Sequence, residues 1–394
     1  NMSEKMPNDV PLKQRILASA DISVQEAQAI INDIKQITGE DGWQWRYEQA
    51  RLWYSSEDFD NLYTRITTLL KENLKQNPAD QASRMLLAAV YEKAGERQLA
   101  AAAYKDALER SPDDIRVIIP TVMALYNVKE FERADEILNR TARKNLVHPD
   151  LSRLQLQSHL RQGQYGSAET IMKDLISRDP ENESIALSLA LLKLQQGQTN
   201  EAGSILKKLH SKDPDSFPVI SAMVDLNVKQ NNPEKAIELC TQSIEKLNNA
   251  SAYILRGKTY LALGMKDKAV ADFEKATELE PQNAQAWLFK SDYYRMEGEL
   301  EKALQDIEKT LQINPDNLTV KKRAILLFLA SNDPDKTSRG IDLMDKAITE
   351  NPKDTDLLVY KTRWLMEKGT ASAVNEALRT AGRITQINPK LPEG

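Results

Sequence analysis

The sequence predicts an all-α protein, an α-solenoid of about nine to ten helix-turn-helix repeats. Three observations carry that prediction. Small residues recur on one beat: Ala100, Ala134, Ala168, Ala202, Ala236, Ala269 and Ala303, at steps of 34 with one step of 33, then Gly340 and Ala377 at steps of 37. Prolines keep the same time, because Pro112, Pro180, Pro214, Pro281, Pro315, Pro352 and Pro389 each follow a small residue by 12 positions. Glycines fall between them: Gly95, Gly163, Gly197, Gly264 and Gly298 lie five before the alanine, and Gly369 lies eight before Ala377.

Each marker has a physical task. The small residue sits where two helices cross closely. The glycine ends the first helix of a pair in a left-handed conformation, a place taken in two pairs by Asn231 and Asn332. The proline ends the second helix. Two residues later comes a helix N-cap type: Asp114, Asn182, Ser216, Asn283, Asn317 or Asp354. Composition agrees, since the 394 residues include only 14 Gly and are rich in helix formers. The net charge of −5 gives no basic balance that argues for nucleic acid or an anionic membrane. No apolar run approaches the ~18–20 residues of a membrane span, so direct membrane insertion is not expected.

In chain order, residues 1–43 fall outside the period. There "SVQEAQAIINDIKQIT" places Val24, Ala27, Ile30, Ile31 and Ile34 at helical spacing. One amphipathic helix capping the array is expected, with a degenerate repeat as the alternative. A divergent unit follows at 44–80, marked by Tyr47, Ala50, Tyr54 and Pro78. Nine units occupy 81–391: 81–114, 115–148, 149–182, 183–216, 217–249, 250–283, 284–317, 318–354 and 355–391. Pro120 is expected to kink the first helix of its unit or shorten its start. The last two units each gain three residues, expected at the helix–helix junction. The chain stops just after a proline turn, and the expectation is that it is excised from a longer protein.

The two cleanest units, "AYILRGKTYLALGMKDKAVADFEKATELEPQN" and "AQAWLFKSDYYRMEGELEKALQDIEKTLQINPDN", resemble the tetratricopeptide repeat (TPR) family. The first matches at Tyr253, Gly257, Tyr260, Gly264, Ala269, Phe273, Ala276 and Pro281. The second matches at Trp287, Tyr294, Gly298, Ala303 and Pro315, with Ser291 at the usual small position. Lys321 departs from the pattern by occupying a large-aromatic position. The resemblance extends over about residues 44–391. It implies a right-handed superhelix whose first helices line a concave groove, with positions 2, 5, 9, 12 and 13 of each unit facing inward.

Catalytic chemistry is not expected. There is no GxGxxG, Walker loop, HExxH, GxSxG or CxxC. His148, His159 and His210 lack metal-ligand spacing, so neither a metal nor another cofactor is called for. The one cysteine, Cys240, falls at a packing position of a second helix and reads as a buried structural thiol. It says nothing of compartment.

The register leaves candidate partner-binding residues. In "LSLALLKL", Leu189 and Ala190 pack within the array and Leu192 meets the preceding unit, while Leu187, Leu191 and Leu194 face inward. Ile254 and Leu261 repeat that apolar face two units later, and Lys258, Arg295, Lys322 and Arg363 are inward cations opposed by Asp225 and Asp292. The apolar set is either a contact surface or a row covered by neighbouring first helices. The charged set suits an acidic peptide or a C-terminal carboxylate, with solvated charge as the alternative. The Lys/Asn/Arg clamp of chaperone-binding family members is absent, since Met85 and Ala89 stand where it wants Lys and Asn. The expected function is a non-catalytic scaffold binding a protein or peptide in its groove. Alternatives are a substrate-docking module of a larger enzyme, or an assembly component of a cell-envelope or secretion complex that self-associates through its ends.

Overall fold

The structure, a computed structural model, describes residues 8–19 and 22–387. Pro389 and the last turn lie outside the described residues. Every regular element among them is an α-helix, 22 in all. The helices fall into two compact bodies, residues 1–181 and 182–394.

The first body holds α1 (Val10–Leu17), α2 (Val24–Thr38), α3 (Trp43–Tyr54), α4 (Phe59–Gln76), α5 (Gln81–Lys93), α6 (Arg97–Arg110), α7 (Ile115–Asn127), α8 (Phe131–Arg143), α9 (Pro149–Arg161) and α10 (Tyr165–Arg178). The second holds α11 (Glu183–Gln195), α12 (Thr199–Lys212), α13 (Phe217–Lys229), α14 (Pro233–Leu247), α15 (Ala250–Ala262) and α16 (Lys266–Leu279). It continues with α17 (Ala284–Met296), α18 (Leu300–Ile313), α19 (Leu318–Leu329), α20 (Pro334–Glu350), α21 (Thr355–Lys368) and α22 (Ala371–Ile387).

The N-terminal segment carries two helices where the pattern suggested one. α2 begins with a reciprocal capping box between Ser23 and Glu26 and buries Ala27, Ile31 and Ile34. The helix that periodicity missed is α1, whose buried Lys13 reaches Asp33 at 2.9 Å. Only eight residues long, α1 gives too few turns for a periodic signal.

Packing explains the small residues. The seven alanines of the beat are at most 2% exposed, and Ala377 is 1% exposed. At Gly340 an added Cβ would lie 2.8 Å from the Phe328 Cβ, so α19 and α20 cross too closely for a side chain there. The turn markers behave similarly: Gly264 and Asn231 adopt φ of 75° and 58°. Asn332 is not left-handed, and in the 115–148 unit Lys129 takes that conformation, at φ 61°. Of the six cap types named above, five accept a helix N–H. Ser216 does not, and the next residue but one, Pro218, has no N–H to give.

Three departures from the repeat pattern take a definite form. Pro120 does not shorten its helix, which starts at Ile115 behind the Asp114 cap and runs through the proline. The additional residues of the last two units do lie at the helix–helix junction, as a longer start to the second helix: α20 and α22 span 17 residues where α16 and α18 span 14, a gain of nearly one turn. Lys321 is buried at its aromatic-type position because its ammonium reaches Glu350 Oε2 at 2.7 Å.

Packing is strongest between the two helices of a pair, except that α7 packs more on α6, of the preceding pair, than on its own partner α8. First helices also pack on neighbouring first helices: α3 on α5 and α7 on α9 in the first body; α11 on α13, α13 on α15, α15 on α17 and α19 on α21 in the second. Second helices make no comparable contact with one another among the described residues. A shared face of first helices is thereby built on each body.

Candidate functional site

The first helices of the second body bury Ala190, Ala222, Leu255, Ser291 and Ala324 near their midpoints, and Leu358 in the first turn of the last. One face remains outward. Its central row is the ninth position of each repeat: Leu191, Asp225, Lys258, Asp292, Leu326 and Arg363. Leu191 is 46% and Leu326 41% exposed. Water-facing leucines at one repeated position are not explained by core packing.

The sequence-derived candidates divide on this structure. Leu191, Lys258, Arg295 and Arg363 are exposed. Leu187 and Leu261 are half-buried against their cores. Leu194 is a correction: only 2% exposed, it joins Ala190, Ala202 and Leu206 in the core of its pair. Ile254 is another, 4% exposed and clustered with Ala250, Ala276 and Ala286. Both sit where the turn of the first helix has rotated their positions toward the neighbouring helices. Leu189 and Ala190 are buried, and Leu192 is buried too.

The cations are held in different ways. The Lys258 ammonium lies over the Phe289 ring, 5.0 Å from its centre. Lys322 is clasped by Asp354 at 2.8 Å and Asp356 at 2.7 Å. Burial pulls its pKa down, but these two carboxylates hold it above the ordinary lysine value. Arg323 Nη1 lies 2.8 Å and Arg295 Nε 3.7 Å from the same atom, Asp292 Oδ1. Burial pushes the Asp292 carboxyl up against the pull of both arginines.

Sequence reasoning passed over four residues of this face. Met296 and Met366 are 57% and 53% exposed, and Leu326 is the fourth repeat-mate of Leu191. All three occupy register positions 13, 12 and 9, so the same rule carried to the last units would have found them. Arg323, at position 6, lies outside the rule and is visible only through its contact with Asp292.

The residues that draw attention as chemistry have structural partners. Cys240 is fully buried, its sulfur 3.5 Å from the Thr259 hydroxyl, and burial pushes its thiol pKa up, away from a reactive thiolate. His148 caps α9 by accepting the Asp150 N–H. No group of three or more His, Cys, Asp or Glu among the described residues is placed to hold a metal ion. No described helix is long and apolar enough to cross a membrane.

Residues 159–224 and 193–259 match one family model described as a tetratricopeptide repeat, and residues 65–115 and 254–317 match a second with the same description. No curated protein matches the sequence. Among solved structures, a tetratricopeptide repeat protein from Parabacteroides merdae is 17% identical, with 72% of this chain and 98% of that chain covered and a TM-score of 0.44. Yeast Tom70 is 18% identical, covering 89% and 86%, with a TM-score of 0.45. A thermophilic TPR protein from Thermus thermophilus is 22% identical, covering 44% and 95%, with a TM-score of 0.38.

Proposed function

We propose that this chain, which belongs to the tetratricopeptide repeat family, is a non-catalytic scaffold that binds a protein or peptide segment on the outward face of its first helices. Protein–protein interaction is the role that the family supports. The finer reading rests on one observation: in the second body, large apolar side chains facing water concentrate on first helices, at Leu191, Met296, Leu326 and Met366. Among the described residues, the five second helices before the last expose one large apolar side chain, Leu247, while the last exposes Leu378 and Ile387 at the end of the array. Fully burying a leucine or methionine contributes about 1.5–3 kcal/mol, so covering even two of these is a useful share of a binding energy.

The test uses the full chain and its Leu191→Asp/Leu326→Asp variant as baits for affinity capture from native lysate, with quantitative mass spectrometry. Both sites are exposed, so helical circular dichroism is expected to be unchanged. Proteins enriched by the wild type are expected to drop at least tenfold with the variant. An identical capture profile overturns the proposal.

A further inference from the structure

Resting on that reading of the face, we infer that the segment it binds is acidic and apolar together: a carboxylate bridges Arg295 and Arg323 while an apolar side chain of the same segment covers Met296 and Leu326. Two guanidiniums from successive first helices, α17 and α19, converge on one oxygen of one carboxylate, Asp292 Oδ1. One negative charge cannot neutralise two cations, so the trio carries a net charge of about +1 at neutral pH. Asp292 is mostly covered, with its side chain 20% exposed, whereas those of Arg295 and Arg323 are 45% and 41% exposed. Asp292 therefore acts as a positioning residue beneath, and the arginines keep further donors for an acceptor arriving from solvent. An arginine has five N–H donors, and one shared carboxylate oxygen leaves most of them uncommitted.

Exposed apolar side chains stand on the same two helices as those donors. Met296 adjoins Arg295 in the chain, and Leu326 stands one turn beyond Arg323, on the same side of α19. Neighbouring acids are already engaged: Glu297 pairs with Lys266 at 2.7 Å, and Asp354 and Asp356 hold Lys322. They therefore do not hydrogen-bond the two arginines, although with two carboxylates to one ammonium the Lys322 cluster carries a net charge of about −1 of its own. A basic segment would bring the exposed guanidiniums no acceptor, and a purely apolar one would leave their donors desolvated without acceptors. An amphipathic segment with a Glu or Asp three or four residues from a Leu satisfies both halves of the site.

The experiment measures binding of fluorescein-labelled 16-residue helical peptides to the full chain by anisotropy at low salt. One peptide carries Glu and Leu on one face, and the second has Gln in place of every Glu. The Glu peptide is expected to bind at least tenfold tighter. Arg295→Gln/Arg323→Gln is expected to remove that preference while leaving Gln-peptide binding unchanged, and Leu326→Ser is expected to weaken both peptides. Equal binding of the two peptides, with Leu326→Ser still weakening both, overturns the acidic inference and leaves the scaffold reading standing. Binding of either peptide that neither variant alters overturns both, as does no binding at all.

Discussion

Arg256 holds Asp272 through two contacts of 2.8 Å, Nε to Oδ2 and Nη2 to Oδ1. One repeat later the same two positions carry Lys290 and Asp306, joined by a single contact of 3.3 Å. The second oxygen of Asp306 is buried with no hydrogen-bond partner. The planar fork of arginine matches both oxygens of a carboxylate, and the point charge of lysine does not. Lys290→Arg is therefore expected to close the second contact and stabilise the chain by about 1 kcal/mol. Thermal unfolding followed by circular dichroism checks this, and a lower Tm would show that the longer side chain does not fit beside Trp287.

The same carboxylate sets a pH dependence. Burial pushes the Asp306 pKa up to about 6, against the pull of Lys290. In the unfolded chain the group titrates near its ordinary value of 3.8. Between those two values the folded form binds more protons than the unfolded form, so this group lowers stability as pH rises. Its cost is absent below the unfolded pKa and complete above the folded one. The Tm gained by Asp306→Asn, relative to wild type, is expected to be larger at pH 7.5 than at pH 4. A gain independent of pH would assign the effect to packing instead.

Lys321 and Glu350 form a pair with one buried member, since their side chains are 8% and 41% exposed. Removing the carboxylate strands the ammonium in a site that the repeat pattern otherwise fills with an apolar ring. Glu350→Gln is expected to lower Tm, Lys321→Met to leave it level or raise it, and the double variant to match Lys321→Met. Additive losses across this double-mutant cycle would mean that the two residues do not act together.

Glycines at two helix positions should respond in opposite directions. A Cβ on Gly257 would lie 2.6 Å from the Phe273 ring, so Gly257→Ala is expected to cost about 1–3 kcal/mol through overpacking. A Cβ on Gly166, within α10, meets nothing within 4 Å. Gly166→Ala is expected to gain up to about 1 kcal/mol from helix propensity alone. Chemical denaturation of the two variants checks the contrast.

Leu191 and Leu194, three residues apart, should part company as well. Leu194→Ala opens a cavity in a core and is expected to cost about 2–5 kcal/mol. Leu191→Ala is expected to stay within about 0.5 kcal/mol of wild type. Paired thermal melts decide it, and equal losses would place both side chains in the core.

The periodic part of this protein was legible because its markers are local. Ala269, Gly264 and Pro281 act through helix crossing, left-handed backbone and a missing N–H, each fixed by residue type within one turn of chain. The candidate site was legible only in part. A register rule selects a direction around a helix axis, yet Leu194 and Leu191 differ by only three positions, and one is core while the other faces water. The rule also says nothing of position 6, where Arg323 stands.

By itself, then, the sequence determined the helix pairs, their turns and the family, because those follow from short-range sterics repeated many times. Tertiary structure alone decided which of the candidate residues stay exposed, that Lys321 finds Glu350, and that Arg295 and Arg323 share Asp292. Those outcomes depend on which side chains of successive helices come within about 4 Å, and that distance is set by the packing of whole repeats on one another.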